Sequence, residues 1–462
     1  MSPTRLITPG VVLVLACAAY LAQPPRLDAQ SSASYAVESR DRFLLPPTDE
    51  GVPGAGPLRR ADWFQNKWRE RRSAFARNTE RDQRAVVFLG DSITEGWGGA
   101  LGAVFPGMKV ANRGISGDTT RGVLLRLRDD VLSVNPSAVV LLIGTNDIDE
   151  GASPETIAGN MRLILDELKA HDAQMPVVLC EVFPSSAVKR RPKETITAIN
   201  SLYRGLVKND ARVTYLETWA LFADPQGDAI AAEFPDLLHL NEAGYAKWAA
   251  ALRPVLATLG FIETEPDFVL EEGFESLFNG RDLTGWGYRV TSEADRASAA
   301  SWQARDPNAA EWPFVDKAQA FEGMTVSPDG RYAAIHGRLV VTTPPEYRKI
   351  TQLFTTREFP GDFILKLEFR ATPNADSGVY IRAPQLQCRD YVLAGPWKDL
   401  RKYRPQDWNE LVVEVRGGVA HCTCNGEVID AALAVPATGP IGFEGDRGQM
   451  EYRRIRIKAL KE

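Results

Sequence analysis

The chain has 462 residues, 44% of them hydrophobic, with a formal net charge of −6 and a pI near 5.6. That is too long for one ordinary domain and rich enough in apolar residues for more than one core. The acidic balance, with no dominant basic stretch, argues against nucleic acid as a partner, and no internal segment is apolar over a bilayer's thickness.

The N-terminus stands apart. Arg5 precedes an apolar stretch from Leu6 to Leu21, broken by Pro9-Gly10, and small or polar residues follow through Leu27-Asp28-Ala29. The pattern predicts a secretory signal peptide over residues 1–29, cut near Ala29; the competing reading is an uncleaved anchor. Cys17 follows Val14-Leu15-Ala16, a weak lipoprotein-like context in which lipidation is not favoured. Export to the periplasm or the cell exterior is therefore expected, with no stable transmembrane segment left after cleavage. Residues 30–57 are polar and rich in Ser, Pro and Gly, and read as a disordered tether.

From Arg59 to Arg81, Trp63, Phe64, Trp68 and Phe75 recur at roughly helical spacing, as in an amphipathic helix packing its aromatics on a sheet. Strands and helices then alternate. Strands are predicted at Val86–Leu89, Lys109–Asn112, Ala138–Ile143, Pro176–Val182 and Val213–Leu216. Helices are predicted at Thr119–Leu132, Pro154–His171, Glu194–Lys208 and from Asn241 to about Leu259. Such alternation implies a parallel sheet covered on both faces, with right-handed crossovers.

The pattern changes at Ile262-Glu-Thr-Glu-Pro-Asp267, an acidic joint carrying a proline, across which few contacts are expected. Beyond it, Phe363, Leu365, Leu367 and Phe369 alternate with charged residues, the period of a half-buried strand. Arg416-Gly-Gly-Val419 and Cys424-Asn-Gly-Glu427 are hairpin turns, and Glu451 to Lys458 is a last alternating strand. An antiparallel β-sandwich follows, with residues 291–331 as long loops. Cys180, in an apolar run, reads as a buried free thiol. Cys388 is expected to bridge to Cys422 or Cys424, and the connectivity is open.

The chemistry gathers at Val87-Phe-Leu-Gly-Asp-Ser92. A buried strand ends in a turn that leaves the Ser92 hydroxyl at its carboxyl end, the edge where open α/β sheets bind ligands. A serine needs a base to take its proton. Among His171, His239, His336 and His421, only His239 lies in the loop before the last helix of this half, with Asp236 three residues earlier to orient its ring. The bland alternative is a helix-capping Asp beside a structural His. Donors for a developing oxyanion are expected from the N–H groups of Ser92 and Gly114 and from the Asn146 amide. All leave carboxyl ends of strands or the loop before the last helix, so they converge on one rim.

Gly90-Asp-Ser92, Gly114, Gly144-Thr-Asn146 and Asp236-x-x-His239 match, in order, the four blocks of the SGNH (GDSL-type) hydrolases. Asn112-Arg-Gly-Ile-Ser-Gly-Asp-Thr-Thr-Arg121 and Leu237-Leu-His-Leu-Asn-Glu-Ala-Gly-Tyr245 resemble the catalytic subunits of platelet-activating-factor acetylhydrolases. The resemblance implies a three-layer, flavodoxin-like α/β/α domain over residues 58–262, with Ser92 as nucleophile, His239 as base, Asp236 as its partner, and neither metal nor cofactor.

Gly273-Phe-Glu-Ser-Leu-Phe-Asn-Gly-Arg-Asp-Leu-Thr-Gly-Trp286, Asn374-Ala-Asp-Ser-Gly-Val-Tyr-Ile-Arg382 and Glu451-Tyr-Arg-Arg-Ile-Arg-Ile457 resemble the 3-keto-disaccharide hydrolase domain. That likeness implies a concanavalin-like jelly roll over residues 273–462 after a linker at 263–272. Relatives usually carry an acidic Glu-x-Gln stretch shortly after the Ser-Gly-Val-Tyr strand, where this chain reads Gln385-Leu-Gln-Cys-Arg-Asp390, and often a His where Gly442-Phe-Glu-Gly-Asp446 stands. A glycan-binding role is thus expected at least as much as catalysis, beside the reading of a purely structural sandwich. The expected whole is an exported serine esterase acting on small acyl esters, of carbohydrates above all. The alternatives are a lysophospholipase-like acylhydrolase and a glycan-binding protein with an inert esterase scaffold.

Overall fold

The computed structural model describes residues 43–460, apart from 208–209, 211, 264–266, 306–312, 343–347 and 396. The signal-peptide and Cys17 readings lie outside the described residues.

In the first half, five short strands form one parallel sheet: β1 (Val86–Gly90), β2 (Val110–Gly114), β3 (Ala138–Leu142), β4 (Val177–Cys180) and β5 (Val213–Leu216). Their order is β2-β1-β3-β4-β5, and every pairing is parallel. Side chains alternate between two cores. Val87, Leu89, Val139 and Leu141 pack with the helices Thr120–Asp130, Pro154–His171 and Lys193–Val207. Val86, Phe88, Val140 and Leu142 pack with Trp248, Leu252 and Val255 of the helix Glu242–Thr258. Near-continuous apolar strands arise because both faces are covered, and the result is the expected three-layer α/β/α domain.

Local chemistry sets the helix starts. The Ser153 hydroxyl accepts from Thr156 N–H ahead of Pro154, and the Thr119 hydroxyl accepts from Gly122 N–H. The helix Asp62–Arg77 buries Phe64, Trp68 and Phe75 with Ile115, while Trp63 stays half exposed. The later half of the expected tether is bound to the domain. Ala55 exchanges hydrogen bonds of 2.8 and 2.9 Å with the Asn160 side chain, and Arg121 donates to the carbonyls of Val52, Pro53 and Gly56.

Among the described residues, the second half is an antiparallel sandwich of an eight-stranded and a six-stranded sheet, sharing one core that includes Trp286, Leu365, Leu367, Phe443 and Tyr452. Both predicted hairpins are present, pairing Arg416 with Val419 and Cys424 with Glu427. Residues 291–331 are not only loop. A helix runs over Glu293–Arg305, its start closed by Ser292 Oγ on Asp295 N–H; its weak apolar stripe hid it from periodicity. The expected disulfide is not formed, since Cys388, Cys422 and Cys424 are buried free thiols. Cys388 belongs to one sheet and Cys422 and Cys424 to the other.

The joint also departs from expectation, because many contacts cross it. Arg338 Nη2 donates to Ala257 O at 2.9 Å, and Thr258 Oγ1 donates to Glu451 Oε1 at 2.5 Å. Gln449 Nε2 bonds Thr258 Oγ1 at 2.9 Å, and Asn374 Nδ2 bonds Glu217 Oε2 at 3.0 Å. Glu263, inside the joint itself, pairs with Arg370 at 3.0 Å and with Arg338 at 3.4 Å. Its acidity reads from sequence as solvated charge, but the arginines that answer it come from strands far along the chain.

Candidate active site

Strand order decides where the chemistry collects. β1 pairs with β2 on one side and β3 on the other, so the chain changes direction between β1 and β3. Loops leaving the carboxyl ends of strands part there and open a crevice. Ser92 follows β1 and Asn146 follows β3, one on each side of it.

The turn after β1 is tightly made. A Cβ on Gly90 would stand 2.2 Å from Leu142 O, so only glycine fits. Asp91 Oδ1 accepts Ile93 N–H at 2.9 Å and caps the short helix Ser92–Glu95. Burial pushes the Asp91 carboxyl up to about 7, which the Ile93 N–H and the nearby His239 partly oppose. Asp91 therefore shapes the turn, and Ser92 stands at its outer edge. Tyr245 OH, from the last helix, donates to Ile93 O at 2.8 Å and ties that helix to the nucleophile's turn.

Ser92 Oγ lies 2.9 Å from His239 Nε2, and His239 Nδ1 lies 2.8 Å from Asp236 Oδ2. Asp236 Oδ1 accepts the N–H groups of Leu238 at 3.0 Å and His239 at 2.7 Å. Partial burial works against the Asp236 charge, yet these two N–H groups and the ring hold its carboxyl at about 2. The Asp236 and His239 side chains are each 45% exposed, so the acid–base pair opens to solvent.

The expected oxyanion donors fare differently. Asn146, buried in the short helix Thr145–Asp149, donates from Nδ2 to Asp118 O at 3.0 Å; an amide nitrogen has a second hydrogen to give. Ser92 N–H has no acceptor among the described residues. Gly114 N–H is already spent on Asn112 Oδ1 at 2.9 Å. Gly114 serves packing instead, since a Cβ there would stand 2.2 Å from Glu95 N. Three residues on, Gly117 has φ +86° and an N–H without an acceptor among the described residues, next to the Asp118 carbonyl that Asn146 holds. The signal for it lay in the same motif, Gly114-Ile-Ser-Gly117, where sequence alone does not say which glycine's N–H is left over.

The sandwich carries a cavity of about 420 Å³ lined by Arg289, Asp295, Gln352, Phe354, Tyr380 and Arg382, among others. Gln352 Nε2 donates to Tyr380 OH at 2.6 Å on its wall. On the same sheet, Gln385 Nε2 donates to Glu444 Oε2.

Residues 88–247 match the GDSL-like lipase/acylhydrolase family model, and residues 273–458 match the 3-keto-alpha-glucoside-1,2-lyase-like domain. The chain thus joins a GDSL-type acylhydrolase domain, which makes it a hydrolase, to a 3-keto-disaccharide hydrolase-like domain. It is 26% identical to human platelet-activating factor acetylhydrolase IB subunit alpha2 over 209 residues, covering 44% of this chain and 88% of that protein. A GDSL-like lipase from Bacteroides thetaiotaomicron aligns at 24% identity and TM-score 0.36, covering 40% of this chain and 97% of the other. A variant of an acetyl-xylooligosaccharide esterase from Geobacillus stearmophilus aligns at 22% identity and TM-score 0.31, covering 39% and 97%.

Proposed function

We propose that the protein is an exported serine esterase that removes small acyl groups from carbohydrate esters. The hydrogen-bonded series Ser92–His239–Asp236 carries this reading. Ser92 Oγ attacks the ester carbonyl while His239 Nε2 takes its proton, and Asp236 Oδ2 accepts from Nδ1–H and steadies the resulting imidazolium. Ser92 N–H, the Asn146 amide and, in place of the occupied Gly114, the Gly117 N–H receive the oxyanion. His239 returns the proton to the leaving alcohol. It then activates a water that releases the acyl group from Ser92.

The preference for carbohydrate rests on the second domain's family match and on its cavity, where the Gln352 amide, the Asp295 carboxylate, two arginines and the rings of Phe354 and Tyr380 offer hydrogen bonds and an apolar face to a sugar. A lipid ester is the second reading, favoured by the named activity of the acetylhydrolase relatives. Labelling with a fluorophosphonate probe tests the nucleophile: wild type should label and Ser92→Ala should not. Turnover of acetylated oligosaccharides against lysophospholipids decides between the substrates, and exclusive lipid turnover would reject the carbohydrate reading.

A further inference from the structure

Between β4 and the helix Lys193–Val207 runs a loop, residues 181–192, that carries none of the four motif blocks and yet touches both halves of the site. We propose that this loop positions the catalytic groups, Ser185 acting on the acid–base turn and Arg191 on the oxyanion amide; the inference rests on the triad reading above.

Ser185 acts through Leu237. That leucine has φ +61°, a left-handed conformation unfavourable to a residue with a side chain. The cost is accepted because the reversed peptide brings Leu238 and His239 N–H onto Asp236 Oδ1 and the imidazole onto Oδ2. Something outside the turn must hold it so. Ser185, 2% exposed, donates from Oγ to Leu237 O at 2.7 Å. Ser185 is itself held from the other side, since its carbonyl accepts Ala229 N–H at 2.8 Å.

Arg191 acts through Asn146. Its Nη2 donates to Asn146 Oδ1 at 3.3 Å and its Nε to Thr145 O at 3.0 Å. A guanidinium can only donate, so it fixes the amide with oxygen inward. Nδ2 is then left facing Asp118 O, with its second hydrogen available. A cation on the oxygen also polarises the amide and strengthens that N–H as a donor. Arg191 is 5% exposed, which places this bond away from competing water. The two residues are mechanically joined, because Ser186 O accepts both Lys189 N–H and Arg191 N–H at 3.0 Å. One turn of chain thus sets the distance between the base and the oxyanion donor.

The test is a set of variants assayed on an activated aryl acetate, each with its melting temperature recorded. Ser185→Ala and Arg191→Gln should each lower kcat by about tenfold or more, the scale of a small misplacement, with KM changed by less than about twofold. Ser185→Thr, which keeps the donor, should recover most of the rate. Mutant cycles identify the partner. Arg191→Gln should cost nothing further in Asn146→Ala, and Ser185→Ala nothing further in His239→Ala, because each acts only through the group already removed. Wild-type kcat in either single variant, or fully additive losses in the cycles, would overturn the proposal. If Asn146→Ala and His239→Ala themselves keep wild-type rates, the triad reading falls and takes this one with it. If those two fail while Ser185→Ala and Arg191→Gln do not, only the positioning role falls.

Discussion

Replacing Glu451 with alanine removes a carboxylate that both domains share. Its Oε2 accepts Arg370 at 2.8 and 3.1 Å, and its Oε1 accepts Thr258 Oγ1 at 2.5 Å and Gln449 Nε2 at 3.0 Å. Arg370 and Arg338 are 2% and 1% exposed, so neither can recover solvation when the partner goes. Stranding a buried charge in this way costs about 3–5 kcal/mol. Both guanidiniums keep Glu263, at 3.0 and 3.4 Å, and Arg338 keeps Ala257 O, so the loss belongs near the lower end, about 3 kcal/mol. With a denaturation slope of about 3 kcal/mol/M, the urea midpoint should fall by about 1 M. The Arg370 and Gln449 bonds lie within the sandwich and the Thr258 bond crosses from the hydrolase domain, so the loss falls mainly on the sandwich and the two halves should also cease to unfold together. Tryptophan fluorescence and far-UV circular dichroism, coincident in the wild type, should separate in the variant. A midpoint shift under about 0.2 M with coincident transitions would refute the coupling.

Three further outcomes follow from the site. Ser92→Ala should abolish ester hydrolysis without lowering the melting temperature, because its hydroxyl stands at the rim; wild-type turnover by the folded variant would remove Ser92 from the mechanism. Asn146→Ala should lower kcat by about 10²–10³ with little change in KM, as expected for one oxyanion donor, and an unchanged kcat would exclude it. The third concerns pH. Asp91 is raised to about 7 from 3.8, mainly by burial, so the native state keeps a proton that the unfolded chain loses, and stability falls as pH rises between about 4 and 7. Asp118 and Asp147 are raised in the same direction by burial. Asp91→Asn should flatten part of that slope, read as urea midpoints at about pH 5 and about pH 7.5, and an unchanged slope would place the titration elsewhere.

What could be read ahead of the structure was local. The β1 turn was legible because an apolar run stopping at Gly90-Asp-Ser92 has few other folds open to it. The helix Pro154–His171 was legible to the residue because Ser153 and Pro154 fix its start. Features that depend on distant partners were not. Glu263 reads as a solvated charge until Arg338 and Arg370 are brought to it from 75 and 107 residues away. Gly114 was the glycine donor the motif suggested, and only the Asn112 side chain, by taking its N–H, leaves Gly117 as the glycine of that motif whose N–H has no acceptor among the described residues. Cys388 looked able to pair with Cys422 or Cys424 because spacing alone does not say which thiols meet, and all three are free. Ser185 and Arg191 carried no motif at all, and their roles arise from carbonyl and amide groups on other loops.

The interface also changes how cooperation between the domains must be tested. A flexible tether would raise the local concentration of a bound polymer's esters whatever the geometry. Here Thr258 and Glu451 lock the last helix of the hydrolase domain to a strand of the sandwich, so any glycan bound by the sandwich would be held at one fixed place. Cutting the chain at Ile262 is then a poor experiment. It would strip Arg338 from Ala257 O, Glu451 from Thr258 and Gln449 from Pro254 O, and so perturb the hydrolase domain as well as the supposed sugar site. Tyr380→Ala leaves those bonds in place and removes one ring and one hydroxyl from the cavity wall. If the cavity presents glycan to Ser92, the variant should hydrolyse a small soluble ester at the wild-type rate and an acetylated polysaccharide several-fold more slowly. The quantity that decides is the ratio of the two rates. A ratio equal to wild type would detach the cavity from ester hydrolysis, and a fall in both rates together would mean that Tyr380 supports the fold rather than the substrate.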